Sequence, residues 1–381
     1  MLTTDYRLLT THLMPKAHTQ RNAGQLLIIG FDGTEMSSRL RSLLTRIQPA
    51  GVILFGRNIV NAEQTHELLR SCAEAVGTPL FFCVDMEGGT VDRLKNAIAP
   101  APSAAEVFAT GDRRLFRKHG KIIGESCRAL GFNTDLAPVV DLVTNASRKV
   151  MRSRVVSSDP KEVVVYAREF LAGLGSAGVI GAIKHFPGLG AANLDTHKSL
   201  PEVQRPWNQL WEQDLYPYRS LRRVAPMILI GHASYPAVTR DGTPASLSKK
   251  WISEVLRKRI EYRGLVISDD LEMGGVLKAA PIDEAAVEHI RAGGDVCLVC
   301  HKEEFVSSAF EALLKETERD RKFAARVAES TARVLAFKKK SREVKRRISP
   351  PSAEKLARLS RSLWEFSEQV RFESLPQQAN G

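Results

Sequence analysis

The segment of residues 184–197, KHFPGLGAANLDTH, carries the side chains of this chain that are best suited to chemistry. The apolar residues 179–183 lead directly into Lys184 and His185, and a loop beyond the Phe-Pro-Gly-Leu-Gly turn delivers Asp195 and His197. A carboxylate two residues from an imidazole can fix the tautomer of the ring and make it a proton shuttle near neutral pH. The alternative is a solvated surface pair without function.

Further polar side chains stand where other apolar runs end. Asp85 closes one run and is followed eight residues later by Arg93, while His232 closes another. A third run ends in Asp269 and Asp270. Side chains alternate along a strand, so if the runs close into a barrel, one of the two should face its axis and the other the surrounding helices. The pattern leaves open which one does so, and Asp270 could also cap the next turn.

The elements that must position these residues are eight short apolar runs with helix-length segments between them. The runs are residues 25–30, 51–55, 79–85, 133–141, 179–187, 227–233, 264–270 and 295–300. Near-continuous Val, Ile and Leu are typical of parallel strands buried on both faces, and residues 251–260 and 284–292 have helical spacing. This α/β pattern predicts a (β/α)8 TIM-type barrel, a single catalytic domain with a helical C-terminal extension. A doubly wound open sheet is the alternative, but the first strand is not followed by Gly-x-Gly-x-x-Gly.

The predicted organisation is a polar lead-in over residues 1–22, the barrel over 23–340, and a basic linker with a helical tail over 341–381. Residues 303–340 are predicted to form one helix. Apolar residues at spacings of three and four from 356 to 370 predict a final helix that docks on the barrel rather than forming a dimer contact. Residues 371–381 are predicted to be disordered.

Composition limits the possible functions. The net charge is +12, with a basic run at residues 338–347 that we interpret as a solvated helix end rather than a nucleic-acid site, because no aromatic residues are interleaved with it.

No apolar run is long enough for a membrane span, and the N-terminus does not resemble a signal peptide, so we expect a cytoplasmic protein with reduced cysteines. Cys297 and Cys300 with His301 match a haem-attachment spacing, but they fall in an apolar strand and are expected to be buried structural thiols.

With these residues in hand, the chain resembles the glycoside hydrolase family 3 β-N-acetylglucosaminidases of bacterial cell-wall recycling. The specific motif is Lys-His-Phe-Pro-Gly-x-Gly-x-x-x-x-Asp-x-His, met by residues 184–197. Residues 84–93, Arg154 with residues 158–160, and residues 264–271 are similar to three further family segments. The chain departs from the pattern at Leu189, where the family usually has His, at Thr90, where it often has Arg or Lys, and after Arg154, where Val155-Val156 replaces [Ser/Ala]-Phe.

The resemblance implies a role for each matching residue. Asp269 would be the nucleophile and Asp270 its non-catalytic neighbour, while His197 would be the acid/base, oriented by Asp195. The residues implied to hold the sugar are Asp85, Arg93, Arg154, Lys184 and His185. Lys184 and the arginines would keep Asp269 ionised. Gly188 and Gly190 would be hinges of the loop that carries His197.

The implied reaction is retaining hydrolysis of terminal β-linked N-acetylglucosamine through a covalent glycosyl-enzyme, with no cofactor and no metal. The expected partners are small N-acetylglucosamine glycosides or muropeptides, with no nucleic acid and no membrane span, on a monomer or a dimer. Alternatives are a family 3 β-glycosidase or phosphorylase of different specificity and a non-catalytic sugar-binding barrel. A metal-dependent barrel hydrolase using His185, His197 and His232 is a further alternative, although the first strand does not end in His-x-His.

Overall fold

A computed structural model describes residues 19–192, 200–346 and 349–374 of the chain. Within these residues, eight parallel strands close into a barrel in which each strand pairs with the next along the chain and the last pairs with the first. The strands are β1 Leu27–Ile29, β2 Gly51–Ile53, β3 Phe81–Val84, β4 Thr134–Asp135, β5 Ile180–Phe186, β6 Met227–Ile230, β7 Leu265–Asp270 and β8 Val296–Val299. Each lies inside one of the eight predicted runs, so the prediction of a (β/α)8 barrel is confirmed.

Helices surround the barrel and follow it. The α-helices are Ser38–Ile47, Ala62–Ala75, Ala104–Ala109, Arg113–Ala129, Asn145–Val150, Pro160–Ala177, Trp207–Gln209, Tyr216–Leu221, Pro236–Thr239, Gly274–Ala279, Ile282–Ala292, Glu303–Arg319, Arg321–Lys340, Arg342–Lys345 and Ala353–Glu373. Wider π-helical turns are present at Leu210–Asp214 and Lys250–Arg259. Turns of 3₁₀ helix are present at Gly56–Asn58, Arg152–Arg154 and Ala245–Leu247. A short antiparallel hairpin, Met86–Gly88 with Val91–Asp92, follows β3.

The predicted helix over residues 303–340 is two helices. It is interrupted at Asp320, whose side chain accepts hydrogen bonds from the N–H groups of Lys322 and Phe323 and so caps a new helix. An aspartate that bonds to the backbone in this way favours a helix start over a helix interior. The helix predicted from residue 251 is also wider than expected, because Lys250–Arg259 is π-helical.

Alternate residues of the strands fill the interior of the barrel. In β7, Leu265 and Ile267 belong to the cluster that the strands enclose, whereas Val266 packs in the cluster formed with the outer helices. Asp269 continues the inner series and Asp270 the outer one. The same alternation puts Asp85 on the inner series, after Phe81 and Cys83.

The amino-terminal end of the barrel is closed by the helix Arg321–Lys340. Val334 and Phe337 of this helix pack on the interior cluster, and Lys338 is 3% exposed. The Lys338 Nζ donates a hydrogen bond of 2.8 Å to Gln25 Oε1 and lies 5.1 Å from the centroid of the Phe81 ring. The interpretation of the basic run as a solvated helix end is therefore wrong at Lys338, because this residue points into the barrel.

The final helix, Ala353–Glu373, packs on the helix Arg113–Ala129, as predicted. Its inward stripe contains Phe366, which is fully buried with its ring centroid 5.9 Å from that of His119. The helix continues to Glu373, so the prediction of disorder from residue 371 is wrong for its first three residues, and residues 375–381 lie outside the described part of the chain.

Two remaining predictions concern the cysteines and the membrane. Cys297 and Cys300 are buried, unpaired thiols in and just after β8, as expected. Within the described residues, no helix combines the length and the apolar character that crossing a bilayer requires.

Candidate active site

Polar side chains gather at the carboxyl ends of β3, β5 and β7, the end of such a barrel where active sites form. Lys184 lies at the centre of this cluster and is almost completely buried. Its Nζ lies 2.7 Å from Asp85 Oδ1 and 2.7 Å from Glu87 Oε1. Burial alone would lower the pKa of Lys184, but the two carboxylates raise it. Lys184 is therefore a fixed positive charge in the mouth of the barrel.

Glu87 was not among the predicted site residues, although it lies two residues after Asp85. Arg154, held by the turn Arg152–Arg154, binds Glu87 through both carboxylate oxygens, with Nε–Oε2 at 2.7 Å and Nη2–Oε1 at 2.9 Å. Burial opposes the ionisation of Glu87, yet Arg154 and Lys184 hold its pKa well below the usual range. Glu87 thus joins two of the predicted sugar-binding residues in one buried ion-pair network.

His185 is oriented by Asp141, a second residue that the sequence reasoning missed. The His185 Nδ1 lies 2.7 Å from Asp141 Oδ2, and Asp141 Oδ1 accepts a 2.7 Å hydrogen bond from the N–H of Leu189. Asp141 is the last polar residue of the predicted strand run 133–141, so its position at a strand end was the available signal. The other ring nitrogen, Nε2, lies 3.4 Å from Arg154 Nη2, which brings the imidazole into the same cluster.

Asp269 has its two carboxylate oxygens in different surroundings. Its Oδ1 accepts a 2.9 Å hydrogen bond from the N–H of Asp270, while its Oδ2 makes no hydrogen bond to any described residue. Burial by itself would raise the pKa of Asp269, but the nearby His185 ring, the Asp270 N–H and Lys184 lower it. Lys184 is thus one of the groups that lower this pKa, as expected, while the guanidinium of Arg154 pairs with Glu87.

Asp270 caps the following turn, which was one of the alternatives left open by the sequence. Its Oδ1 accepts hydrogen bonds from the N–H groups of Glu272 at 3.1 Å and Cys300 at 3.2 Å. Its Oδ2 lies 3.2 Å from His301 Nε2. These bonds draw its carboxylate away from the barrel axis and leave Asp269 as the aspartate of β7 that faces the mouth.

Arg93 follows the hairpin after β3 and makes no hydrogen bond or ion pair with any described residue. Its Nε is buried and has no hydrogen-bond partner among the described residues. Its guanidinium carbon lies 5.9 Å from the centroid of the Phe55 ring. A buried donor without a partner costs free energy unless a ligand or water satisfies it. Arg93 therefore has donors that no described residue uses and that a ligand could satisfy.

The loop after β5 begins in a firmly held conformation. The carbonyl of Gly188 accepts a hydrogen bond of 2.7 Å from the Tyr235 hydroxyl, and a side chain at this position would lie 2.8 Å from Asp214 Cβ. A side chain at Gly190 would lie 2.5 Å from the carbonyl oxygen of Leu142. Close packing therefore requires glycine at both positions, and their role as hinges of the loop remains a prediction.

Three predictions on this loop and the hairpin have different outcomes. Leu189, one of the departures from the family pattern, is buried in the apolar cluster beneath the loop. Thr90 is exposed in the hairpin turn. Asp195 and His197 lie outside the described residues, so their roles as orienting residue and acid/base remain predictions.

Comparison with known proteins identifies the family. The model of the glycosyl hydrolase family 3 N-terminal domain matches residues 18–337, which include the whole barrel and every predicted site residue. The chain belongs to glycosyl hydrolase family 3. It is therefore a glycoside hydrolase, and the resemblance seen in its sequence is confirmed.

Individual known proteins are similar to this chain over most of its length. A β-hexosaminidase of Xanthomonas oryzae is 35% identical over 285 residues, covering 73% of this chain and 84% of that protein. The structure of a β-N-acetylglucosaminidase from Paenibacillus sp. has a TM-score of 0.84 and 33% identity, covering 91% of this chain and 68% of the other. A β-N-acetylhexosaminidase from Beutenbergia cavernae has a TM-score of 0.79 and 26% identity, covering 84% of this chain and 98% of the other.

Proposed function

We propose that this family 3 glycoside hydrolase is a retaining, exo-acting β-N-acetylglucosaminidase with Asp269 as its nucleophile. The observation on which the proposal rests is the asymmetric environment of the Asp269 carboxylate. Its Oδ1 is held by the Asp270 N–H, whereas its Oδ2 is not bonded to any described residue, and the pKa of the carboxyl is lowered. A carboxylate in this state can attack an anomeric carbon without first losing a proton.

The reaction has two displacements. In the first, Asp269 Oδ2 bonds to the anomeric carbon, the bond from that carbon to the leaving oxygen breaks, and His197 gives the leaving oxygen a proton. In the second, His197 takes a proton from water, whose oxygen bonds to the anomeric carbon and displaces Asp269. Two inversions at one carbon retain the β configuration. Asp195 holds the His197 ring in the tautomer that this exchange needs.

The sugar would lie between the buried network and Arg93. Lys184 and Arg154 are fixed by Glu87, so their remaining N–H groups can donate to hydroxyl groups without a loss of side-chain freedom on binding. Asp85, whose side chain is 19% exposed, has an accessible carboxylate that can accept hydrogen bonds from the sugar. Arg93 supplies donors that have no partner among the described residues.

The preference for an N-acetylated sugar is supported by the relatives, which are named β-hexosaminidases and β-N-acetylglucosaminidases. We extend the proposal to muropeptides as the natural substrates, to a role in peptidoglycan recycling and to a cytoplasmic location. The first two points rest on the sequence resemblance, and the third rests on the expectation from the sequence pattern. A test that compares release of N-acetylglucosamine from a muropeptide and from chitobiose addresses the natural substrate.

Three experiments test the central proposal. Hydrolysis of an aryl β-N-acetylglucosaminide should be much faster than hydrolysis of the matching aryl β-glucoside, and a faster glucosidase would refute the sugar assignment. A 5-fluoro N-acetylglucosaminyl fluoride should label the protein, and peptide mass spectrometry should find the label on Asp269. A label on Asp270 or elsewhere would refute the assignment of the nucleophile. Added phosphate should leave the product as the free sugar, whereas a sugar phosphate would indicate phosphorolysis.

A further inference from the structure

A fully buried imidazole, His232, stands directly beside the nucleophile strand and has no part in the reaction described above. It follows β6, and both of its ring nitrogens have partners. The Nε2 lies 2.9 Å from the carbonyl oxygen of Asp270, and the Nδ1 lies 2.7 Å from the hydroxyl of Ser246. His232 therefore connects two segments that are distant in the sequence.

The hydrogen bonds determine the tautomer of this ring. A carbonyl oxygen can only accept, so the Nε2 of His232 must carry the proton that it shares with Asp270. Burial lowers the pKa of His232, which favours the neutral ring, and its unprotonated Nδ1 then accepts from the Ser246 hydroxyl. Ser246 is itself anchored, because its carbonyl accepts a 2.8 Å hydrogen bond from His289 Nδ1.

Residue 270 transmits this constraint to the nucleophile. Its carbonyl is held by His232 and by the N–H of Met273, at 2.9 and 3.0 Å, while its own N–H donates to Asp269 Oδ1. The N–H and the carbonyl of residue 270 flank the same Cα, so a backbone shift at this Cα after loss of the His232 donor would also move the N–H and weaken the bond that fixes the Asp269 carboxylate. A displacement of about 1 Å at a reacting group can reduce a rate about a hundredfold.

We propose that His232 is a positioning residue for Asp269, acting through Asp270 and kept in the required tautomer by Ser246. The inference rests on the proposed role of Asp269 and adds the group that fixes its orientation. His232 does not contact the sugar in this proposal. Its removal should therefore slow the attack by Asp269 and leave the affinity for the substrate almost unchanged.

The test compares His232→Ala with His232→Gln, whose side-chain amide can still donate to the Asp270 carbonyl. For His232→Ala we expect kcat on an aryl β-N-acetylglucosaminide and the rate of labelling by the 5-fluoro sugar to fall together by about 10- to 100-fold, with KM changed less than about threefold. His232→Gln should recover most of both rates. A purely structural role predicts lower thermal stability with normal rates in the folded protein.

Ser246→Ala provides a second variant that leaves the ring in place, and we expect it to lower both rates by about 3- to 10-fold. Its matched control is Ser253→Ala, which removes a 2.6 Å hydrogen bond to the Ala292 carbonyl away from the catalytic end and should leave both rates unchanged. If His232→Ala does not fold, Ser246→Ala and His232→Gln decide the question.

Two failures can be told apart. Labelling of a residue other than Asp269 in the unaltered protein would refute the proposed function. Labelling of Asp269 at a normal rate in folded His232→Ala, or in Ser246→Ala if the former does not fold, would refute the positioning role alone.

Discussion

Replacement of Lys338 by Met should make the stability of the protein less dependent on pH. Lys338 is buried under the barrel, and burial lowers its pKa from 10.5 to about 7. In the unfolded chain the same ammonium group is in water and keeps its ordinary pKa. Between these two values the unfolded state binds more protons at this residue than the folded state, so the free energy of unfolding rises with pH.

The size of the effect follows from the two pKa values. Each pKa unit corresponds to about 1.4 kcal/mol, so the unaltered protein should gain about 2.5 kcal/mol from this residue between about pH 7.5 and about pH 9.5. Lys338→Met fills a similar volume but carries no proton, and that gain should disappear. The Gln25 oxygen that loses its donor costs about 1–3 kcal/mol at every pH and cancels from the difference.

The measurement is urea unfolding followed by tryptophan fluorescence at both pH values. Lys339→Met is the matched control, because Lys339 is exposed and its ammonium group is in contact with water in the folded and the unfolded protein. The control should follow the pH dependence of the unaltered protein. If Lys338→Met also follows it to within about 0.5 kcal/mol, the reasoning from burial is refuted.

Three further predictions concern the site and the final helix. Glu87→Gln should cost about 3–5 kcal/mol in the free energy of unfolding and abolish hydrolysis, because the buried Lys184 and the partly buried Arg154 lose their shared carboxylate. Near-normal stability in urea would contradict this. Asp141→Asn should lower kcat/KM by about 10- to 150-fold through loss of the charge-assisted bond to His185, and steady-state kinetics within twofold of normal would disprove it. Phe366→Ala should lower the free energy of unfolding by about 3–5 kcal/mol. Trp364→Ala, at a position 62% exposed on the same helix, should lower it by less than about 0.5 kcal/mol. Equal losses would show that the helix is not docked as described.

The barrel could be predicted from the sequence because its signal is local. A parallel strand covered on both faces must be apolar almost throughout, so each of the eight strands stands out as a run bounded by polar residues. The polar residues that end these runs, such as Asp85, Lys184 and Asp269, must then meet at one end of the barrel. The helix boundary at Asp320 was less visible, since the apolar spacing continues on both sides of it.

The partners within the site could not be predicted in this way. Asp85 and Lys184 are 99 residues apart, Glu87 and Arg154 are 67 apart, and Asp141 and His185 are 44 apart. Such pairs depend on which strands become neighbours and on the register between them, and no local pattern contains that information.

The sequence by itself determined the barrel, the end at which its chemistry lies and the family to which the chain belongs. Apolar runs, the polar residues that end them and the motif of residues 184–197 are all local features of a sequence. The tertiary structure decided that Asp269 faces the axis, because closure of the barrel distinguishes an inner series of side chains from an outer one. It also decided that Lys338 is buried at the amino-terminal end of the barrel, although its place in a basic run had predicted that it would be exposed to solvent. A single lysine can be buried in such a run because its stem packs on apolar surface while one hydrogen bond and one aromatic ring satisfy its head.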